Sequence, residues 1–453
     1  MRIEPSFPIR IAELYSLFGK LPDFRDEQPI RAITTDSRLV CPGDLFVALR
    51  GDSADGHAYL EEARRRGAII SLSEIPTAGG ITVDNTREAL RCLASHYLAQ
   101  HRVPVVAITG SVGKTGTKDA VAAALSPKYR VHKTADNQNN ELGVSYTVLS
   151  RPEDAEFLVL ELGTNHPGEI AAHSQAVHPD IGIITAIGSA HIGAFGTREA
   201  ILSEKADLTR GMSGGRLILN RDDPYLVTLR PSLPTSYIGL RERADFFADE
   251  ITYSESGTSY LLLKGEVRRP ISLASIGRPC IYASLFAMAA AHHLGVPDCE
   301  AASALAEADH ASGRQSVETI AGITLIDDSY NASPEAVEEA LLLLSRLKAR
   351  GKRHLVLGDM LELGEHAIDL HDRIGRLAAK EASYLYTFGN FADAVARGAK
   401  ESGMQASAIL QFPDADSVIH ALLPRIAPGD VVLIKASHSL HGDRIADAIR
   451  KNR

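Results

Sequence analysis

The chain has 453 residues, of which 45% are hydrophobic and 23% are charged, so length and composition predict a globular protein of two to four domains. The formal net charge of −9 argues against a general nucleic-acid binder, because contacts with phosphate backbones need a basic surface. There is no CxxC spacing among the four cysteines, no signal-peptide core at the N-terminus and no apolar run near ~18 residues, so we expect a cytoplasmic protein with reduced thiols and no membrane insertion.

Residues 1–102 form the first predicted domain. Short strand-like pieces such as "RAITTDS", "DLFVAL" and "GAIISL" are separated by turn residues. The segments "HAYLEEARRRG" and "TREALRCLASHYLAQH" have helical periodicity. This combination predicts a small α/β domain.

Residues 103–311 form the second predicted domain. The apolar runs "VPVVAIT", "FLVLEL", "IGIITAI" and "RLILN" read as buried strands, with helical patterns between several of them. Strands that alternate with helices predict a mainly parallel, doubly wound sheet. The Ala-rich segment "YASLFAMAAAHHLG" near the end is too short to span a bilayer and carries two histidines.

Residues 312–453 form the third predicted domain. Its strands are "ITLIDDS", "RHLVLGDM", "SYLYTFG" and "DVVLIKAS", separated by helices such as "SPEAVEEALLLLSRLKARG". The alternation predicts a second doubly wound, Rossmann-like unit. The expected fold class is therefore α/β, with a small N-terminal domain, a central domain of P-loop type and a C-terminal Rossmann-like domain.

The stretch "AITGSVGKTGTKDAVAAAL" places a Gly-rich turn between a strand and a helix. Backbone N–H groups and the helix dipole would face an anion there, Lys114 would supply a charge for the outer phosphates, and Thr115 would offer a hydroxyl to Mg²⁺. The place of the usual first glycine of such a loop is held by Ile108, so the loop is shortened. It predicts phosphate binding without distinguishing a hydrolase, a kinase or a ligase, and the alternative is a turn that binds nothing. The predicted loop residues are Gly110, Ser111, Val112, Gly113, Lys114 and Thr115.

Three further residues of the second domain stand where ligands gather in such sheets. Glu161 ends an apolar strand and would suit Mg²⁺, or it would cap the following turn. His191 follows another strand in a loop of small residues, and Lys205 lies on the next helix. The alternatives are a structural histidine and a solvated surface lysine.

Charged residues also follow two strands of the third domain. Asp327 and Asp328 end one strand, ahead of a helix that begins at Pro334. Lys435 and Ser437 end the last strand, ready to meet an anion. Carboxylates at such a place suit ribose hydroxyls or a metal, while helix capping and a plain turn lysine are the alternatives.

The order of these motifs carries more information than any one of them. "TGSVGKT", "NQNNELGVSYTVL", "LELGTNHPGEI", "SAHIGAFGT", "DDSYNASPEAVEEAL", "VLGDMLELGEHA" and "VLIKAS" together resemble the Mur ligase family over nearly the whole chain. "DDSYNA" and "GDMLELG" are similar to the branch that adds D-alanyl-D-alanine. The stretch "TTDSRLVCPGDLFVAL" is similar to the family's uridine-nucleotide-binding domain.

The resemblance implies a cytoplasmic, monomeric ligase of peptidoglycan synthesis. ATP and Mg²⁺ would activate the carboxylate of UDP-MurNAc-tripeptide as an acyl phosphate, which the amine of D-Ala-D-Ala would displace. The first domain would then bind UDP and the second ATP. A related ligase with another amine or acid, and a nucleotide-binding homologue without catalysis, are the alternatives.

The resemblance also implies roles for individual residues. Catalytic roles fall to Lys114, Lys205 and His191, with Lys205 at the place of a carbamylated lysine. Besides the loop, nucleotide contacts fall to Arg314, Asp328, Tyr330 and Asn331. Metal contacts fall to Thr115, Glu161 and His191. Substrate contacts fall to Ser37, Arg38, Asn139, Asn140, Lys435 and Ser437. Cys280 and Ala283 stand where the family commonly has asparagines near adenine, which leaves the adenine contacts open.

Overall fold

The computed structural model describes residues 1–19, 27–51, 54–254, 257–308 and 316–452. Within these ranges the strands form three sheets of five, nine and six strands, most of them parallel. We call each sheet with its helices a unit. The predicted α/β fold class is confirmed, whereas the domain boundaries at 102/103 and 311/312 stay predictions. Arg314, the predicted nucleotide contact, lies outside the described residues.

The first unit contains a sheet of order β1-β2-β3-β4-β5, in which only the β1–β2 pair is antiparallel among the described strands. Its strands are β1 (Arg2–Ile3), β2 (Ile33–Thr34), β3 (Leu45–Val47), β4 (Ile70–Ser73) and β5 (Gly80–Thr82). Its helices are α1 (Ile11–Leu17), α2 (Leu60–Arg65) and α3 (Thr86–Gln100). Helix α3 begins where the side chain of Asn85 accepts two backbone N–H groups, as N-cap residues do.

The second unit contains a sheet of order β14-β13-β12-β11-β10-β9-β6-β8-β7. Its strands are β6 (Val105–Thr109), β7 (Val131–Lys133), β8 (Phe157–Glu161), β9 (Ile181–Ile184), β10 (Arg216–Asn220), β11 (Thr235–Gly239), β12 (Phe246–Ser254), β13 (Gly257–Lys264) and β14 (Val267–Leu273). Its helices are α4 (Lys114–Leu125), α5 (Glu141–Leu149), α6 (Glu169–Val177), α7 (Ile192–Phe195), α8 (Arg198–Ala206), α9 (Arg278–His293) and α10 (Asp298–Glu307). The antiparallel ribbon β12–β14 was not among the predicted strands.

Strand β6 shows why the centre of this sheet reads as a continuous apolar run. Val105 and Ala107 pack on one face, in the cluster that includes α5 and α6, while Val106 and Ile108 pack on the other, against α4 and α9. A parallel strand covered by helices on both faces has no solvent side, so alternation disappears from its sequence. Helix α9, the Ala-rich segment, is buried in the second of these clusters.

The third unit contains a sheet of order β15-β16-β20-β17-β18-β19, in which β15 is antiparallel to β16 and the other described pairs are parallel. Its strands are β15 (Ser316–Ile320), β16 (Ile323–Asp328), β17 (Arg353–Leu357), β18 (Tyr384–Phe388), β19 (Ile409–Phe412) and β20 (Val431–Lys435). Its helices are α11 (Pro334–Arg346), α12 (Ala367–Glu381), α13 (Ala392–Glu401), α14 (Ala415–Leu422) and α15 (Asp443–Lys451).

Strand order determines where ligands bind. In the second unit, β6 lies between β8 and β9, so chain connections leave its carboxyl end in both directions; in the third, β20 lies between β16 and β17. Such switch points leave a crevice at the carboxyl ends of the strands. Across the described ranges, every helix falls short of the length and apolar character that crossing a bilayer requires.

The units meet through specific side chains. Tyr146 of α5 and Thr35 of the first unit share a hydrogen bond of 3.0 Å between their hydroxyl oxygens. Arg278 at the start of α9 forms an ion pair with Glu339 of α11, which joins the second unit to the third.

Candidate active site

The loop after β6 requires glycine for a steric reason. Gly110 has a φ of +142°, and a Cβ there would lie 2.0 Å from Oγ1 of Thr185. Thr185 follows β9 and donates from that oxygen to the carbonyl of Val112 at 2.6 Å, while the N–H of Ser111 donates to Ala186. The loop is therefore fastened to the end of the neighbouring strand. Gly113, at φ +83°, is the N-cap residue of α4, which begins at Lys114.

Lys114 lies over this loop. Its Nζ donates to the carbonyl oxygen of Gly110 at 2.7 Å and to that of Ser111 at 3.3 Å. The side-chain Oγ of Ser111 is buried and lacks a hydrogen-bond partner within the described part of the chain. The ammonium group of Lys114, the orphaned hydroxyl of Ser111 and the start of the twelve-residue helix α4 belong to one short loop, a set of donors that suits the oxygens of a phosphate chain.

Thr115, Glu161 and Asn139 form one buried network. Oγ1 of Thr115 donates to Oε2 of Glu161 at 2.7 Å, and Nδ2 of Asn139 donates to Oε1 at 2.7 Å. The backbone N–H of Glu161 donates to Oγ1 of Thr134. Thr115 comes from the phosphate loop and Glu161 from the end of β8, so the fold joins two predicted metal ligands that are 46 residues apart in sequence. Both carboxylate oxygens of Glu161 accept from these side chains, so the alternative that Glu161 caps the following turn is wrong.

Lys205 is buried, with 2% of its surface exposed, so the alternative of a solvated surface lysine is wrong. Burial and then the neighbouring ammonium of Lys114 lower its pKa well below the usual lysine value, against the opposing effect of Glu204 and Glu169. The neighbouring carboxylate of Glu204 accepts the N–H groups of Gly168 and Ile170 and so fixes the start of α6.

His191 contacts the third unit. Its Nδ1 lies 2.5 Å from Oε2 of Glu362, and its backbone has a φ of +63°. The hydrogen bond from His191 lowers the pKa of Glu362, and the charge of Lys114 lowers it further. Glu362 therefore senses the charge of the phosphate loop, although among the described residues His191 makes no hydrogen bond or ion pair with Thr115 or Glu161.

The third-unit residues Asp328 and Lys435 are paired. They occupy the same register position at the ends of β16 and β20, and Nζ of Lys435 lies 2.7 Å from Oδ2 of Asp328. The same Nζ donates to the carbonyl of Asn331 at 2.7 Å. Ser437 accepts the N–H of Leu361 through Oγ, which ties the last strand to the loop that carries Glu362. The ring of Tyr330 lies 5.5 Å from that of His438.

The predicted substrate residues of the first unit make local contacts. Ser37 donates to Glu62 at 3.3 Å, and exposed Arg38 pairs with Asp36 at 2.7 Å, which lowers the pKa of Asp36 to about 2. These contacts stay within the first unit. Asn140 accepts the N–H of Gly143 and caps α5.

Of the two departures near the expected adenine contacts, Ala283 is buried and Cys280 is partly exposed as a residue. The thiol of Cys280 donates to the carbonyl of Gly277 at 3.0 Å, and burial raises its pKa to about 12. Ala283 is packed in the core of α9. The Cys280 thiol is therefore an un-ionised group held against backbone carbonyls.

Three carboxylates of the site were missed by pattern reasoning: Glu204, Glu335 and Glu362. Oε1 of Glu335 accepts both the N–H and the hydroxyl of Ser189 and also pairs with Arg198, so it joins α11 to the loop after β9. Glu204 precedes Lys205, and Glu362 lies in "GDMLELG", but the neighbouring sequence does not reveal which residue each carboxylate contacts. Their partners are at least 34 residues away along the chain.

Family models match three successive parts of this chain. Residues 29–98 match the Mur ligase family catalytic domain, residues 108–291 the Mur ligase middle domain, and residues 313–438 the Mur ligase glutamate ligase domain. The UDP-N-acetylmuramoyl-tripeptide–D-alanyl-D-alanine ligase of Bacillus subtilis is 33% identical over 445 residues, with 96% of each chain covered. This chain belongs to the Mur ligase family.

Solved Mur ligase structures extend the similarity to three dimensions. A MurF structure from Acinetobacter baumannii aligns with a TM-score of 0.90 at 29% identity and covers 99% of this chain and 100% of its own. A MurF ligase from Thermotoga maritima, solved in complex with ADP, aligns with a TM-score of 0.84 at 30% identity and covers 92% of this chain and 97% of its own. The predicted family, its D-Ala-D-Ala-adding branch and the ligase class are confirmed, and the alternative without catalysis is not favoured.

Proposed function

We propose that this Mur ligase joins D-alanyl-D-alanine to UDP-N-acetylmuramoyl-tripeptide and converts ATP to ADP and phosphate. The observation that carries the proposal is the buried network at the ends of β6 and β8, where Lys114, Thr115 and Glu161 converge on the phosphate loop. The names of relatives that cover nearly the whole chain support the choice of substrates.

In the first step a carboxylate oxygen of the tripeptide attacks the γ-phosphorus of ATP, an O–P bond forms and ADP leaves. Two anions must approach each other, so positive charge has to offset their repulsion. Lys114, the loop N–H groups and the start of α4 supply that charge around the phosphates. Asp328, Tyr330 and Asn331 of the third unit, together with Arg314, are proposed to complete nucleotide binding.

The donor set near the loop fits Mg²⁺. Thr115 and Glu161 offer hard oxygen atoms 2.7 Å apart, and Ser111 adds a hydroxyl without a partner in the described structure. The described residues contain no cluster of three or more His, Cys, Asp or Glu side chains suited to a metal. Mg²⁺ commonly binds through one or two protein ligands and substrate phosphates, so a small donor set is sufficient. Bound Mg²⁺ would neutralise phosphate charge, and His191 is proposed to hold a second Mg²⁺.

Lys205 is proposed to be carbamylated. Only the neutral amine attacks CO₂, and burial together with Lys114 lowers the pKa of Lys205 and so favours that form. The product is an anion, which Lys114 would stabilise where an ammonium is disfavoured. When the N–C bond forms and the nitrogen loses one proton to solvent, the lysine becomes a carbamate, an anion able to orient a cation beside the phosphates.

In the second step the amine of D-alanyl-D-alanine attacks the acyl carbon, a C–N bond forms and phosphate leaves with the C–O bond broken. Lys435 and Ser437, at the end of β20, are proposed to meet the dipeptide. Ser37 and Arg38 are proposed to meet the UDP moiety, and Asn139 and Asn140 the tripeptide. Because the residues come from three units, approach of the units is needed before chemistry.

The test measures ADP release from purified protein with Mg²⁺ and each combination of substrates. ADP release and a new amide product, detected by mass, should require ATP, UDP-tripeptide and D-Ala-D-Ala together. A product with another amine but none with D-Ala-D-Ala would favour a related ligase. Folded protein that binds nucleotide without making an amide would refute the proposal. Cytoplasmic location and a monomeric state are further proposals, and sedimentation analysis tests the second.

A further inference from the structure

The contact between His191 and Glu362 joins two units at the edge of the phosphate site. His191 follows β9 of the second unit, and Glu362 follows β17 of the third. The histidine side chain is 24% exposed and the glutamate 60%, so the pair is open to solvent. Exposed ion pairs contribute little to stability, so the effect of this contact is sought in the orientation of the His191 imidazole.

The backbone holds this contact in register. The N–H of Gly193 donates to the carbonyl of Glu362 at 3.1 Å. A Cβ added to Gly193 would lie 2.7 Å from the nitrogen of Gly364, and a Cβ added to Gly364 would lie 2.8 Å from Cα of Gly193. Only residues without a Cβ allow the two loops to come this close.

Both members of the pair also have left-handed backbones. The φ angle is +63° at His191 and +64° at Glu362, a region that residues with a Cβ rarely occupy. Such conformations persist where the surrounding structure determines them, and they concentrate at functional sites. Two residues with strained backbones and two closely packed glycines occur at this one contact, so the surrounding fold determines its geometry.

The chemistry of the pair fixes the imidazole. An ionised carboxylate only accepts hydrogen bonds, so Nδ1 of His191, at 2.5 Å from it, carries the proton. In the neutral imidazole the other nitrogen, Nε2, then presents its lone pair away from Glu362. Carboxylates orient metal-binding and catalytic histidines in this way.

We propose that Glu362 is a positioning residue that holds His191 in the Nδ1–H form when the third unit docks, so that docking and the orientation of His191 are a single event. This inference rests on the proposed function for its kinetic consequence, but the tautomer itself is measurable without turnover. Glu362 acts through His191 and is not assigned a contact with substrate.

The experiment combines nitrogen NMR of protein labelled with ¹⁵N-histidine and steady-state kinetics. His191 signals are assigned by their loss in His191→Asn. Glu362→Ala should move the proton toward Nε2, and Glu362→Gln, whose carbonyl still accepts from Nδ1, should keep it. The matched control is Glu339→Ala, which removes another ion pair between the same two units without touching His191.

In the wild type we expect a protonated Nδ1. Glu362→Ala should lower kcat by about 10–100-fold with little change in KM for the three substrates, since the loss of a partner that orients a ligand has effects of this size. Glu362→Gln should recover most of the loss, and Glu339→Ala should leave the His191 signals unchanged.

Two results would overturn the inference: a wild-type Nε2–H tautomer, or unchanged nitrogen signals in Glu362→Ala. If Glu362→Ala does not fold, the wild-type tautomer and Glu362→Gln still decide. If the wild type shows no substrate-dependent ADP release, the proposed reaction is wrong. The nitrogen signals of the substrate-free protein test the His191–Glu362 inference separately.

Discussion

Gly110→Ala should distort the phosphate loop, and its effect can be worked from the structure. The new Cβ would meet Oγ1 of Thr185 at 2.0 Å, and the φ of +142° is one that residues with a side chain avoid. Backbone strain of this kind costs about 1–3 kcal/mol. Moving Thr185 away breaks its hydrogen bond to Val112, at about 1 kcal/mol more.

The sum is roughly 2–4 kcal/mol against the native loop. For a unit of about 200 residues that corresponds to a fall in melting temperature of roughly 4–16 °C. Thermal melting should show this fall, and ADP release should drop with it because the loop N–H groups no longer converge on the phosphates. Nucleotide should stabilise the variant less than it stabilises the wild type.

Gly116→Ala is the matched control. Gly116 lies inside α4 and its added Cβ would have no neighbour within 4 Å. The same substitution should therefore stabilise the helix by about 0.4–1 kcal/mol, the opposite sign. If Gly110→Ala melts like the wild type and binds nucleotide equally well, the steric account of this loop is wrong.

Three further substitutions test the site. Lys114→Ala should abolish ADP release because it removes the cation over the phosphate loop, and near-wild-type turnover would contradict that role. Lys205→Ala should lose activity that bicarbonate does not restore and that a small carboxylate partly restores; full activity would mean that this lysine has no part in the reaction. Lys435→Ala should destabilise the fold by about 3–5 kcal/mol in urea titrations because the buried carboxylate of Asp328 loses its ion-pair partner, and an unchanged midpoint would show that the pair is not needed.

Short-range patterns were sufficient for much of the fold. Buried parallel strands such as β6 and amphipathic helices such as α11 were predicted because each is defined by the spacing of neighbouring apolar residues. The Gly-rich loop was predicted from its place between a strand and a helix. The antiparallel strands β12–β14 were missed, since their pairing depends on contacts that the alternation of strands and helices does not show.

The sequence by itself determined the family, the α/β class and the chemical types at the strand ends, because local periodicity and the order of motifs are properties of the chain alone. Only the tertiary structure decided that Lys205 is buried, that Thr115 bonds to Glu161, and that His191 meets Glu362. The physical reason is that burial, pKa and hydrogen-bond partner depend on atoms brought close by strand order and unit packing. The partners of Thr115 and His191 are dozens of residues away along the chain, so no local window contains both members of either pair.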